Sequence, residues 1–176
     1  MTFLAGIMSN FSLLNSARPK PIGEPVSAEE VFEFAKKCGA EMMDLKFVDL
    51  LGTWQHCCYP VSQIDHDIFD EGLGFDGSSI RGWQNISQSD MVAVCDPDTV
   101  CLDPFYERPT ISLIADIVDP VTREPYQRDP RNIAKKAAAF LAKSGVADTA
   151  FFGPEPEFFI FDEVRFEQSQ NRGMYE

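Results

Sequence analysis

The sequence predicts an α+β fold, and three observations carry that reading. Short apolar runs bounded by Gly and Pro recur between Met43 and Val118, the pattern of strands joined by turns. Two stretches place apolar residues at helical spacing, each with a start and a stop signal, at about 28–38 and from Pro130 to Gly145. A further apolar run, Phe151–Phe161, is strand-like by its aromatics and carries two carboxylates.

In the first helix, Ser27 is placed to cap and Glu30 to reach back three residues later, a capping box. Val26 and Val31 occupy the staple positions. Val31, Phe34, Ala35 and Cys38 share one face, and Gly39 closes the helix. Next, Met43 to Leu51 alternates, with Met43, Leu45 and Phe47 expected inward and Asp44 and Lys46 outward. Gly52-Thr53 marks a turn, and Trp54–Tyr59 reads as the returning strand of a hairpin. Residues 61–71 are mixed and suit a helical turn.

Gly72–Trp83 holds Gly72, Gly74, Gly77 and Gly82, too much glycine for a regular element, so a loop is expected. Asp76 sits at its tip, followed by Ser78 and Ser79. Such a loop lets backbone approach a ligand closely; an ordinary Asp-Gly turn with a serine cap is the alternative. No Gly-Lys-Ser/Thr ends it, so it is not a phosphate loop.

Three more strands are expected: Met91–Cys95, then Thr99–Leu102 after a turn at Asp96-Pro97-Asp98, and Thr110–Val118. Asp129 caps the second helix, with Pro130 at its first position. Ile133, Ala137, Phe140 and Leu141 line one face of it. In the following run, Glu155 and Glu157 point to one side of a strand, with Pro156 between them. Paired carboxylates among aromatics repel unless a cation or a proton intervenes, and hard divalent cations favour oxygen ligands. For an isolated Glu-x-Glu, a solvated strand face is the alternative. The last residues read as a polar tail.

Composition sets bounds on function. The 176 residues suffice for one large domain or two small ones, and 44% hydrophobic content is ordinary for a globular protein. A formal net charge of −13 argues against nucleic-acid binding through phosphates and against docking on anionic membranes, so neither partner is expected. Five Cys, an odd number without CxxC, speak against a disulfide framework or a zinc site and for a reduced, cytoplasmic setting. His56 and His66 read as structural. No apolar run approaches a membrane span. Residues 1–25 lack a signal-peptide pattern and read as an N-terminal extension, with Met8 an alternative start.

Three segments, in order, resemble bacterial type I glutamine synthetase. They are Phe75-Asp76-Gly77-Ser78-Ser79 with Trp83 and Ser89-Asp90-Met91, then Arg128-Asp129-Pro130-Arg131, then Gly153-Pro154-Glu155-Pro156-Glu157-Phe158-Phe159. The resemblance runs from about Asp44 to Phe166. One departure is Ala93, where that family has a larger aliphatic residue.

The resemblance implies a β-grasp-like N-terminal domain at 26–125 and the incomplete start of a catalytic domain at 126–176. It implies ATP-dependent formation of glutamine from glutamate and ammonia through γ-glutamyl phosphate. Two Mg²⁺ or Mn²⁺ ions are implied, with Glu155 on the metal bridging the ATP phosphates and Glu157 on the metal nearer glutamate. Asp76 would bind ammonium and remove its proton. Ser78, Ser79, Trp83 and Asp90 would belong to the ammonium-site loop. Trp83 would be exposed until a partner covers it. The implied assembly is a homo-dodecamer of two hexameric rings with active sites shared between subunits. Family members run to more than twice this length, so the chain is expected to act within a longer polypeptide and to be inactive alone. A related glutamate–amine ligase and a non-catalytic β-grasp interaction module are the alternatives.

Overall fold

The computed structural model describes residues 18–20 and 23–176, so most of the expected extension at 1–25 lies outside the described residues. The first helix, α1 (Ala28–Cys38), begins and ends as expected. Ser27 Oγ accepts from Glu30 N–H at 3.3 Å, and the Glu30 carboxylate accepts from Ser27 N–H at 2.9 Å. Gly39 stops the helix in the left-handed region at φ 63°. Val26 and Val31 are both buried, closing the staple.

Five strands follow: β1 (Met42–Val48), β2 (Trp54–Pro60), β3 (Leu73–Asp76), β4 (Asp90–Leu102) and β5 (Thr110–Val118). They form one sheet in the order β2-β1-β5-β4-β3. The β1–β2 hairpin is antiparallel, β1–β5 is parallel, and β4 pairs antiparallel with β5 and with β3. Short 3₁₀ turns occupy Val61–Gln63 and His66–Phe69, where a helical turn was expected.

One face of this sheet carries the core, in two patches along the strands. Under α1 lie Met43, Leu45, Ile111, Leu113, Cys95 and Val100. Further along the same strands, Phe47, Ala115, Ile117, Met91 and Ala93 are covered by Ile80, Trp83 and Tyr126.

The sheet corrects three expectations. Met91–Cys95 and Thr99–Leu102 are one strand, not two. The register slips between Asp96, opposite Ile114, and Cys101, opposite Ser112. The Asp96-Pro97-Asp98 turn exists, but as a bulge: Asp96 Oδ1 accepts from Asp98 N–H at 3.0 Å, and Thr99 Oγ1 accepts from Ile114 N–H at 2.8 Å in place of a ladder carbonyl. The slip also reverses the alternation, so Val100 faces the same core as Cys95.

The glycine-rich stretch is likewise not all loop, because Leu73–Asp76 forms β3. Glycine is needed just before it. Gly72 has φ 74°, and a Cβ there would sit 2.6 Å from the Ala93 carbonyl oxygen.

Asp44, expected to face water, is fully buried. It lies on the sheet's second face, where its carboxylate accepts from His56 Nδ1 at 2.8 Å and from the Tyr106 hydroxyl at 3.0 Å. Lys46 beside it bonds Asp103 at 2.6 Å. Polar side chains thus cover a face that alternation alone would leave to solvent.

The second helix, α2 (Pro130–Ser144), runs from an Asp129 cap to Gly145 at φ 70°. Its first turns meet the sheet's second face, where Arg131 pairs with Asp96 and Asp116, and Lys135 pairs with Asp116. Ile133 and Phe140 on its apolar face remain exposed.

Beyond α2 lies the largest correction: Phe151–Phe161 forms no strand. A strand needs a hydrogen-bonding neighbour, and none of the described residues supplies one. Pro154 and Pro156 add no donors. The expected polar tail is instead a hairpin of β6 (Phe166–Ser169) and β7 (Arg172–Tyr175), exposed along its length. Among the described residues, no helix is long and apolar enough to cross a membrane.

Candidate functional site

Two clusters carry the chemistry-bearing residues, and the fold treats them differently. The first is the end of β3. Asp76 is the last residue of that strand and the cap of a 3₁₀ turn over Gly77–Ser79. Its Oδ1 accepts from the Ser78 hydroxyl at 2.6 Å and from Ser78 N–H at 2.8 Å. These bonds, hydroxyl first, together with weaker ones from Ser79, hold the Asp76 carboxyl below the ordinary carboxylate range against a small opposing effect of burial. The side chain stays exposed and is ionised at neutral pH.

Asp90, the first residue of β4, pairs directly with Asp76 across the ladder. Residues opposite each other project to the same face, so Asp76 and Asp90 lie on one side of the sheet edge. Their exposed carboxylates give this end of the sheet a negative surface. Gly77 N–H donates to Ser89 O at 2.6 Å and pins the turn to β4. A Cβ at Gly77 would overlap the Met91 side chain and come within 3.0 Å of Ser89 O, so any other residue there would force Met91 to move.

Trp83 corrects an expectation. It is 2% exposed within this chain, packed against Phe47 at 5.4 Å and Tyr126 at 5.2 Å between ring centroids. No partner is needed to cover it. Its indole N–H is buried with no hydrogen-bond acceptor among the described residues. The residue serves as the floor under the loop, holding the far end of the segment that starts at Gly72.

The second cluster is Glu155 and Glu157, on an irregular, exposed segment. As hard oxygen donors they match Mg²⁺ or Mn²⁺ in kind. They fall short in number, since among the described residues no group of three or more metal-capable side chains forms. No hydrogen bond or ion pair among the described residues joins them to the Asp76 loop. The structure therefore brings Asp76, Ser78, Ser79 and Asp90 to one end of the sheet and packs Trp83 into the core near them.

Sequence reasoning named Arg128 only within the Arg128-Asp129-Pro130-Arg131 segment and left Tyr126 aside, giving neither a part in holding the loop's far end. The Tyr126 hydroxyl donates to Trp83 O at 2.8 Å, and Arg128 Nη1 donates to Gly82 O at 2.8 Å and to Trp83 O at 3.0 Å. Nothing local marks them, because their partners lie more than forty residues earlier.

Comparison with known proteins gives a consistent result. A family model described as the glutamine synthetase beta-Grasp domain matches residues 39–120, and one described as the glutamine synthetase catalytic domain matches residues 127–176. The glutamine synthetase of Azorhizobium caulinodans is 51% identical over 140 residues, which is 80% of this chain and 30% of that protein. Those of Microchaete diplosiphon and Aquifex aeolicus are each 52% identical, over 84% and 81% of this chain. The chain thus spans about 30% of the length of the curated relatives it matches. Among solved structures, Plasmodium falciparum glutamine synthetase aligns over 86% of this chain and 30% of its own, with a TM-score of 0.64 and 26% identity. A GmaS chain in an ADP complex aligns over 65% of this chain and 26% of its own, with a TM-score of 0.58 and 26% identity.

Proposed function

The chain belongs to the glutamine synthetase family, and we propose that it supplies the ammonium-binding loop and the first metal ligands of an ATP-dependent ligase that makes glutamine from glutamate and ammonia. The observation that carries this reading is Asp76: an exposed, ionised carboxylate at the edge of the sheet, fixed by Ser78 and set opposite Asp90.

The geometry suits one task. Ammonium cannot attack an acyl phosphate until it loses a proton. Carboxylates at the site bind ammonium and take one proton from it, so that the ammonia formed can attack the acyl carbon and expel inorganic phosphate. Ser78 and Ser79 keep the Asp76 carboxylate oriented and ionised. Trp83 holds the backbone beneath it. Glu155 and Glu157 are the residues that would hold divalent cations. Such ions, when bound, supply the charge neutralisation that phosphoryl transfer from ATP requires.

The division into residues 26–125 and 126–176, after an extension at 1–25, belongs to the same proposal and is supported by the limits of the two family matches. So does assembly as a homo-oligomer, with a dodecamer of two rings as the family form. A cytoplasmic setting accords with five free cysteines.

In the full-length polypeptide, Asp76→Asn should lower glutamine formation about 100-fold, the ordinary worth of a positioned acid–base group, while ATP binding changes less than about twofold. Steady-state assays with varied ammonium and a nucleotide-binding titration make the comparison. Equal losses in both would remove Asp76 from its role. Glu157→Ala should weaken Mn²⁺ binding in a direct titration, and an unchanged isotherm would return that glutamate to the solvated surface.

A further inference from the structure

The connector between β5 and α2, residues 119–129, does more than join two elements. Asp119 Oδ1 accepts from Val121 N–H at 2.9 Å and Thr122 N–H at 2.8 Å, folding a tight turn. The turn places Arg123 at φ 60°, where a non-glycine residue is strained. The guanidinium then reaches back to the other side of the sheet edge. It donates to Glu71 O at 2.9 Å and to Asp70 O at 2.6 Å, the two residues before Gly72. A few residues on, Tyr126 N–H is tied to Ile117 O at 2.8 Å, so its ring is anchored to β5. From there Tyr126 and Arg128 take the Gly82 and Trp83 carbonyls, as described above.

These contacts share a pattern. Every side-chain contact of Arg123, Tyr126 and Arg128 among them goes to a main-chain carbonyl, and those carbonyls lie just before and at the far end of the Gly72–Trp83 stretch. The middle is fixed separately, by β3–β4 pairing and by Gly77 to Ser89. A glycine-rich segment has little conformational preference of its own, so its shape is set by where its ends are held. Arg128 also directly precedes the Asp129 cap of α2, and Asn132 Nδ2 on that helix donates to Tyr126 O at 2.8 Å. The same few residues therefore touch the loop and the first helix of the catalytic half.

We propose that Arg123, Tyr126 and Arg128 are positioning residues that hold both ends of the Gly72–Trp83 loop and so set the place of Asp76 relative to the catalytic half. The inference rests on the assignment of Asp76 to ammonium made above. Neither arginine meets the substrate in this scheme; both act through the loop. Small displacements of a reacting group are costly in rate, on the order of 100-fold for about 1 Å.

The test uses two readouts. In the full-length enzyme, Arg128→Met should raise KM for ammonium about tenfold and leave KM for ATP and for glutamate within about twofold, with Arg128→Lys recovering most of the loss because an ammonium group can donate to both carbonyls. In the 176-residue chain, hydrogen exchange at the Ile80 and Trp83 amides, bonded to Gly77 O and Ile80 O, should quicken about tenfold in Arg128→Met. Quickened exchange with an unchanged KM for ammonium overturns the positioning role. Unchanged exchange overturns the clamp itself. If Arg128→Met does not fold or assemble, Tyr126→Phe decides on the same two readouts, since it removes one hydrogen bond and keeps the ring against Trp83. Asp76→Asn is run in parallel: if it leaves KM for ammonium unchanged, the ammonium assignment has failed, while the exchange data still judge the clamp.

Discussion

The residues up to 125 and those from 146 onward are both rich in large apolar side chains, yet they meet opposite fates. In the sheet region, Met43, Leu45, Ile111, Leu113 and Ile117 are at most 1% exposed. In the later region, Phe151, Phe152, Phe158, Phe159 and Ile160 are 80–94% exposed. Composition does not distinguish them. What differs is the supply of neighbours. Each strand of the β-grasp sheet has a partner within the same hundred residues, whereas the Phe151–Phe161 run has none among the described residues. Hydrophobicity is a demand for burial, and only a partnered backbone can meet it, because a strand buried alone would strand its own N–H and C=O groups.

The sharpest way to break the contrast is to cut into the buried set. Leu45→Ala removes a side chain held between α1 and the sheet, and should cost about 3 kcal/mol. Urea denaturation followed by far-ultraviolet circular dichroism measures it. A loss under about 1 kcal/mol would mean that the sheet region is far looser than its burial implies.

A smaller effect probes the sheet's polar face. Burial opposes ionisation of Asp103, but Lys46, Phe105 N–H and the Ser112 hydroxyl outweigh it and hold the carboxyl below its ordinary value. A group whose folded pKa is depressed contributes stability above its unfolded value, near pH 4, and that contribution is lost as pH falls through the folded value. Asp103→Asn should therefore cost about 2 kcal/mol at pH 7 and progressively less below about pH 4. Denaturation midpoints from pH 7 down to pH 3 test both parts. A cost that stays constant over that range would show that Lys46 does not favour the charged form.

Ser27→Ala comes next. It removes the Oγ that accepts from Glu30 N–H and should cost about 1 kcal/mol, with Ser27→Asp recovering it. The same denaturation assay reads the change. No difference between the two variants would mean that packing of Val31, Phe34 and Ala35 sets α1 without help from its cap.

The first helix and the sheet also show what a sequence can disclose. The ends of both helices were legible because their determinants are local: Ser27 and Glu30, Asp129 and Pro130, Gly39 and Gly145 act on residues within one turn. The β1–β2 hairpin was legible from alternation around Gly52. Asp44 was not, because its burial depends on Tyr106, sixty residues on. Trp83 was not, because Phe47 and Tyr126 close over it from both sides in sequence. The β4 bulge contains a true turn signal, and only its partner β5 keeps the strand continuous through it. At the candidate site, Asp76 and its serines could be read as one unit, since Ser78 is two residues away. The connector that grips the loop's ends could not, since carbonyl acceptors carry no residue signature.

The smallest expected effect is the most direct test of the opening contrast. Phe159 is 87% exposed, so Phe159→Ser removes little buried surface and should change the stability of this chain by less than about 0.5 kcal/mol. A phenylalanine in the sheet core, changed the same way, would cost several times more. In the full-length polypeptide the prediction reverses. If the later region finds its strand partners there, Phe159 becomes core and the substitution should cost about 3 kcal/mol, read from the same urea titration. Should the two settings give the same small number, the Phe151–Phe161 run does not enter a sheet even with more chain available. The two glutamates it carries would then lack the rigid support that a metal site requires.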